Sequence, residues 1–206
     1  AQVPVFVCMM NNNNSIPYYP AAYPEVVAVG ATDVDDERAS PFAWGGGSSY
    51  GAHIDVSAPG NQMYSLYTID SNYYYYFSGT SQAAPMTTGL AALLLSYSSN
   101  LSANQLHQLI IAGAEDQVGK ASEDIAGWDQ YHGYGRINYY QSLQLLTDAD
   151  NDGMTAVDGD CDDNDPSLHR LDNDGDGYTT CPAESCYTAT LEDSGGNGWD
   201  RGYVTV

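Results

Sequence analysis

The segment from Ser81 to Tyr97 most restricts what this chain can fold into. Gly89, Leu90, Ala91, Ala92, Leu93, Leu94 and Leu95 follow one another without a polar interruption. A helix there is apolar almost all round, so it is expected as a buried central helix. Such a helix needs a layer to pack on. Apolar runs near 3–9, 25–31 and 53–57 offer one as short strands. A second helix is expected over 102–114, with Ser102 and Gln105 spaced as a capping box and Leu106, Leu109 and Ile110 as its apolar face. Near-continuous apolar strands alternating with helices predict an α/β fold with a doubly wound, mostly parallel sheet. Two shorter runs, Met63 to Tyr67 and Asn72 to Phe77, flank Asp70 and Ser71 as the arms of a hairpin would.

The long helix is entered through Gly79-Thr80-Ser81-Gln82-Ala83-Ala84-Pro85. This turn of small residues delivers a serine hydroxyl onto a helix start, where a nucleophile could sit. Pro85 is expected in the first turn, where a missing N–H costs nothing. The unpaired N–H groups and positive dipole end of such a terminus favour negative charge developing at Ser81, which suits acyl transfer. Gly-Thr-Ser before a helix is also an ordinary N-cap, so the tripeptide alone leaves both readings open. The run Tyr73 to Tyr76 likewise reads either as cleft lining or as side chains on a half-exposed hairpin, and Tyr18 and Tyr19 carry the same two readings.

The Gly79–Pro85 turn and the small-residue helix behind it resemble the nucleophile segment of the subtilisin-like serine proteases. The likeness extends to other segments in the same order. These are the strand Val5-Phe6-Val7-Cys8-Met9-Met10 running into Asn11-Asn12-Asn13-Asn14, the stretch Tyr23-Pro24-Glu25-Val26-Val27-Ala28-Val29-Gly30-Ala31, Arg38-Ala39-Ser40, Ile54-Asp55-Val56-Ser57-Ala58-Pro59-Gly60, Gly127-Trp128-Asp129 and Gly133-Tyr134-Gly135-Arg136-Ile137-Asn138. The resemblance covers roughly residues 3–147 and implies the C-terminal part of a peptidase domain over 1–147. It further implies Ser81 as nucleophile and Asn12 as the carboxamide donor to the oxyanion, with Asn11 or Asn13 as the alternatives that four consecutive asparagines leave open. A plain polar loop is the duller reading of the same asparagines.

A serine hydroxyl needs an adjacent base. In the family the aspartate and histidine precede the oxyanion asparagine, whereas no Asp or His occurs before Asn12 and the family's His-Gly-Thr-His segment is absent. Of the four histidines, His53 lies where the family has a structural position, His107 falls mid-helix and His132 in the closing loop, both expected at the surface, and His169 lies beyond. The expectation is a protease portion whose base resides in a segment outside this chain, as another chain or an unrecorded stretch, or a protein that has lost the activity.

Five Lys and Arg against 27 Asp and Glu give a formal charge of −22, which disfavours nucleic acid and anionic membranes as partners. No stretch approaches the roughly 18 apolar residues of a membrane span, and no basic-then-apolar leader opens the chain, so a secreted, processed protein is expected. Cys8 is expected as a free thiol in a core strand. Cys161 and Cys181 flank one acidic segment and are the expected pair if a disulfide forms among the three tail cysteines, Cys186 being the third.

Composition shifts at Asp148. Asp148, Asp150 and Asp152 precede Gly153; Asp158, Asp160, Asp162, Asp163 and Asp165 follow; Asp172, Asp174 and Asp176 precede Gly177. Carboxylates at every second residue, with a turning glycine, let a short loop wrap a hard cation with oxygens, which is calcium chemistry. An EF-hand needs a bidentate Glu at loop position twelve, and Gly159 and Ala183 stand there. The spacing instead resembles thrombospondin type 3 calcium repeats over 148–185. A solvated acidic linker without metal is the alternative. Residues 186–206 read as two strands and a Gly-rich turn opening a truncated β-domain. Two functions are consistent with these features. One is a secreted or cell-surface, calcium-stabilised, subtilisin-like endopeptidase acting on proteins or peptides. The other is a non-catalytic extracellular structural or adhesive protein built on a degenerate protease fold.

Overall fold

The computed structural model describes residues 3–67, 74–147 and 155. Contacts divide the chain between Leu146 and Thr147, and the helices and strands of the described residues lie before that division. The Asp-rich stretch, its cysteines, His169 and the strands expected after Cys186 lie outside the described residues, as do Asp70 and Ser71.

Three strands, β1 (Phe6–Cys8), β2 (Val27–Thr32) and β3 (Val56–Pro59), form a parallel sheet in the order β1-β2-β3. Phe6 pairs with Val27 and Cys8 with Val29, while Val29 pairs with Val56 and Thr32 with Pro59. Every residue of β2 is buried. It is the central strand, with a hydrogen-bonded neighbour on each side and packing on both faces, which is why Val-Ala-Val-Gly-Ala reads as an unbroken apolar run. β1 is only partly buried. Among the described residues it is paired on one side alone, so the core strand expected around Cys8 is an edge there, and Cys8 is a free, partly exposed thiol.

Helix α1 (Thr80–Tyr97) packs across all three strands. The shorter α2 (Ala103–Ala112) and α3 (Tyr139–Gln144) pack against α1 and each other. Behind the sheet Met9, Ala21, Ala28 and Ile54 form a small core joined by Val7. The result is the partial α/β fold expected. α2 begins as its sequence dictates: Ser102 accepts from the Gln105 amide at 3.2 Å, and Gln105 Oε1 accepts from the Ser102 amide at 2.9 Å. Leu106, Leu109 and Ile110 are its buried face. The hairpin is present as β4 (Met63–Leu66) and β5 (Tyr74–Phe77), antiparallel, with Tyr64 opposite Tyr76. Tyr74, Tyr75 and Tyr76 are all exposed, in keeping with the half-exposed-hairpin reading.

Two expectations for α1 are corrected. Pro85 is the sixth helical residue rather than a first-turn residue, because the helix begins at Thr80; with no N–H it cannot donate to the Ser81 carbonyl, one turn back. The helix is also not buried all round. Thr80, Ala83, Ala84, Thr87, Leu90, Ala91 and Leu94 are buried, whereas Ser81, Pro85, Thr88, Gly89, Ala92 and Leu93 are exposed. The sheet covers one stripe of the helix, and the opposite stripe, small-residued and apolar, starts at Ser81.

Candidate active site

Strand order brings the candidate site together. Parallel strands place their carboxyl ends on one edge of the sheet, and in open α/β sheets that edge is where ligands bind. β1 leads from Cys8 into Asn11, β3 leads from Pro59 into Gly60, and the Gly79 amide donates to the Gly60 carbonyl at 2.8 Å. The start of α1 is thereby fastened to the edge from which the asparagine run emerges. Gly79 caps the helix with φ 155°, a backbone region that side chains rarely adopt.

Asn11 is the asparagine whose side chain reaches this turn. Its Oδ1 accepts from the Thr80 amide at 2.9 Å and from the Thr80 hydroxyl at 3.0 Å. A backbone N–H can only meet an acceptor, so these bonds fix the amide orientation and leave Nδ2 as the donor end. Asn12, the residue expected from the strand alignment, is exposed; its amide donates to Ser49 Oγ at 3.1 Å and its backbone bridges to Gly47. Asn13 Oδ1 accepts from Arg38 at 2.7 Å. Which asparagine side chain meets Thr80 is set at Met10. The ladder with β2 ends near Met9, and Met10 takes φ 73°, re-aiming the chain before the asparagines.

Ser81 is exposed in the first turn of α1, where the helix dipole and free amides favour an anion. The described histidines lie elsewhere. His53 and Asp55 precede β3, at the end of that strand opposite Gly60, and His107 Nε2 lies 3.2 Å from Asp55 Oδ1. Four strand residues span about 13 Å, beyond direct proton transfer. His53, Asp55, Trp128 and Tyr134 line a cleft of about 600 Å³ there. Burial lowers the pKa of His53, with the nearby Asp55 opposing. Burial, with Asp55 adding, raises that of Tyr134. His132, expected at the surface, is fully buried, its Nδ1 3.3 Å from Ser57 Oγ. The closing loop folds under itself because Asp129 Oδ1 accepts from the Tyr131 and His132 amides at 2.7 and 2.8 Å, which turns the chain inward. His107 is half-buried on Asp55 rather than free at the surface.

The asparagine tip is braced by Arg38. Its guanidinium pairs with both carboxylate oxygens of Glu123 at 2.9 and 3.0 Å and donates to the Ser48 carbonyl at 2.9 Å as well as to Asn13. It also lies over the rings of Tyr50 and Tyr131. The Arg38 hydrogen bond holds the Glu123 carboxyl below its ordinary pKa, against the opposing effect of burial.

A parallel sheet, a serine on the helix behind a Gly-Thr turn at its carboxyl edge, and an asparagine carboxamide locked to that turn occur here in one order. Residues 5–135 match the subtilase family profile. The chain belongs to the subtilase family. Its relatives include a thermophilic serine proteinase of Bacillus sp. (strain AK1), 42% identical over 133 residues, covering 65% of this chain and 29% of that protein. Thermitase of Thermoactinomyces vulgaris is 37% identical over 134 residues, 65% of this chain and 42% of thermitase. The halolysin-like extracellular serine protease Nep of Natrialba magadii is 35% identical over 141 residues, 68% of this chain and 23% of Nep. This subtilase chain therefore matches between about a quarter and two fifths of the length of these relatives. No described helix is long and apolar enough to cross a membrane, and the described residues hold no cluster of three or more metal-ligating side chains.

Proposed function

We propose that this chain is the nucleophile-bearing part of a secreted subtilisin-like endopeptidase that hydrolyses protein or peptide bonds. Ser81 Oγ attacks the scissile carbonyl. The charge that develops on the carbonyl oxygen is met by the Ser81 amide at the helix terminus and by Asn11 Nδ2, one residue before the asparagine expected from sequence. The observation that carries this reading is the Asn11–Thr80 pair of hydrogen bonds. It joins a donor from one strand tip to the residue before the serine, an arrangement an ordinary N-cap does not need.

The base and the acid that orients it come from polypeptide outside these 206 residues, since the described histidines sit at the other end of β3 or in the interior. That polypeptide would cover the small-residued stripe of α1 that starts at Ser81. Secretion is supported by the −22 charge and by a relative described as extracellular. The same placement of the histidines favours a second reading, a non-catalytic extracellular scaffold on a degenerate protease fold. Assaying casein hydrolysis by the complete protein separates the two. The endopeptidase reading expects activity that Ser81→Ala abolishes; no hydrolysis by either, or equal hydrolysis by both, would refute it.

We place calcium in the segment 148–185, on the carboxylates of Asp148, Asp150, Asp152, Asp158, Asp160, Asp162, Asp165, Asp172, Asp174 and Asp176. Support comes from the donor chemistry: acid side chains alternating with turning glycines present only hard oxygens, and such a density of negative charge is otherwise self-repelling. Residues 186–206 then begin a further β-domain. Calcium titration of the chain by calorimetry should show saturable binding that Asp→Asn changes at 172, 174 and 176 weaken; no heat beyond dilution would refute the assignment.

A further inference from the structure

The loop Phe42–Gly47 touches both halves of the candidate site, and no role assigned so far uses it. Phe42 is buried and anchors the loop, with Trp44 stacked on its ring at 5.1 Å. From that platform the Trp44 indole N–H donates to the Ser78 carbonyl at 3.0 Å, one residue before Gly79. At the loop's other end the Gly47 amide donates to the Asn11 carbonyl at 3.1 Å, and the Asn13 amide returns a bond to the Gly47 carbonyl at 3.0 Å. Gly46 sits between them with φ 76°, and a Cβ there would collide with the Asn11 carbonyl oxygen. Asn11 Oδ1 then closes the circuit on Thr80.

We propose that the Phe42–Gly47 loop is a positioning clamp that sets the spacing between the Asn11 carboxamide and Ser81, with Trp44 and Gly46 as its positioning residues. The inference rests on the endopeptidase reading for its effect on turnover, but not for its geometry. Two sequence-distant segments, 11–13 and 78–81, have to meet within hydrogen-bond tolerance for a donor to act on a charge forming at Ser81. The loop holds each by its backbone, from opposite ends, so errors in one are not absorbed by the other. Trp44 is more than half exposed. An indole left largely in water contributes little as core, and what its N–H does here is fix the carbonyl three residues before the nucleophile.

The test uses Trp44→Phe, which keeps the ring on Phe42 and removes only the N–H donor, and Gly46→Ala, which pushes on Asn11. In the complete protein Trp44→Phe should lower kcat about five- to tenfold with KM unchanged, the scale of one lost hydrogen bond expressed at the transition state. Tm should fall by no more than about 2–6 °C, the scale of one lost hydrogen bond in a chain of this size. Gly46→Ala should lower kcat further. Amide exchange at Thr80, which needs no turnover, should quicken by a similar five- to tenfold factor in Trp44→Phe. Unchanged kcat in Trp44→Phe alongside an inactive Ser81→Ala would overturn the clamp alone. Hydrolysis retained by Ser81→Ala would overturn the protease reading, and Thr80 exchange would still decide the clamp: no acceleration in either variant refutes it.

Discussion

Replacing Arg38 by Met removes the charged head while keeping an aliphatic stem of similar length between Tyr50 and Tyr131. The Arg38 side chain is 9% exposed and Glu123 28% exposed. Removing one partner of a well-buried ion pair costs about 3–5 kcal/mol, because the other charge is left unpaired. Glu123 is open enough to be partly rehydrated, which moves its share to the low end or below, about 2 kcal/mol. Ser48 is fully buried, so loss of the donor to its carbonyl adds about 1 kcal/mol. The two ring contacts add about 0.5 kcal/mol once the cation is gone. These losses share one network and overlap, so the expected total is about 3 kcal/mol. Urea unfolding of the chain should show a lower midpoint with the slope unchanged. Adding Glu123→Gln to Arg38→Met should recover about 1 kcal/mol, because the stranded carboxylate is removed. A loss below about 0.5 kcal/mol would mean that this is an ordinary hydrated surface pair, and the bracing ascribed to it would be wrong.

Burial lowers the folded-state pKa of His53 below its ordinary 6.5, so the unfolded chain takes up the proton first. Stability from this group is complete above about pH 6.5 and declines as pH falls toward the folded value; His53→Gln should flatten that limb in urea midpoints measured between about pH 7.5 and 5.5, and an unaltered limb would exclude it as the cause. Glu123 is also depressed, so its contribution should fade as pH drops below its ordinary 4.5 and through the folded value. Leu109→Ala in α2, 1% exposed, should cost about 2–4 kcal/mol through lost transfer energy and a cavity. Asn11→Ala should depress hydrolysis by the complete protein by about 100-fold or more, a scale set in subtilisin itself for loss of such a donor rather than worked out from this site. Asn12→Ala should leave it within a few-fold of the parent; the reverse order would return the role to Asn12.

Much of the architecture is legible in the sequence because local and tertiary demands agree there. The unbroken apolar run of β2 reflects burial on both faces, and Ser102 with Gln105 writes the start of α2 in four residues. The features that the sequence leaves open or misreads are those decided by distant partners. Four identical asparagines carry no register of their own, and the turn at Met10 brings the Asn11 side chain, rather than that of Asn12, onto Thr80. His132 stands among polar and glycine residues that read as surface, yet the Asp129 carboxylate gathers successive amides and rolls that loop inward. α3 is a single short turn-and-a-half with no apolar period; its one signal is Asn138, whose side chain accepts from the Gln141 amide at 3.1 Å. The exposed stripe of α1 shows the same principle in reverse. Its sequence is written for cover on every side, and the described residues supply cover on one.

The proposed proteolysis comes down to the reactivity of a single oxygen, Ser81 Oγ. Incubating the complete protein with a fluorophosphonate probe and mapping the adduct by peptide mass spectrometry should place the label on Ser81, with labelling lost in Ser81→Ala and slowed in Asn11→Ala. No adduct on Ser81, or a label on another residue that persists in Ser81→Ala, would contradict it.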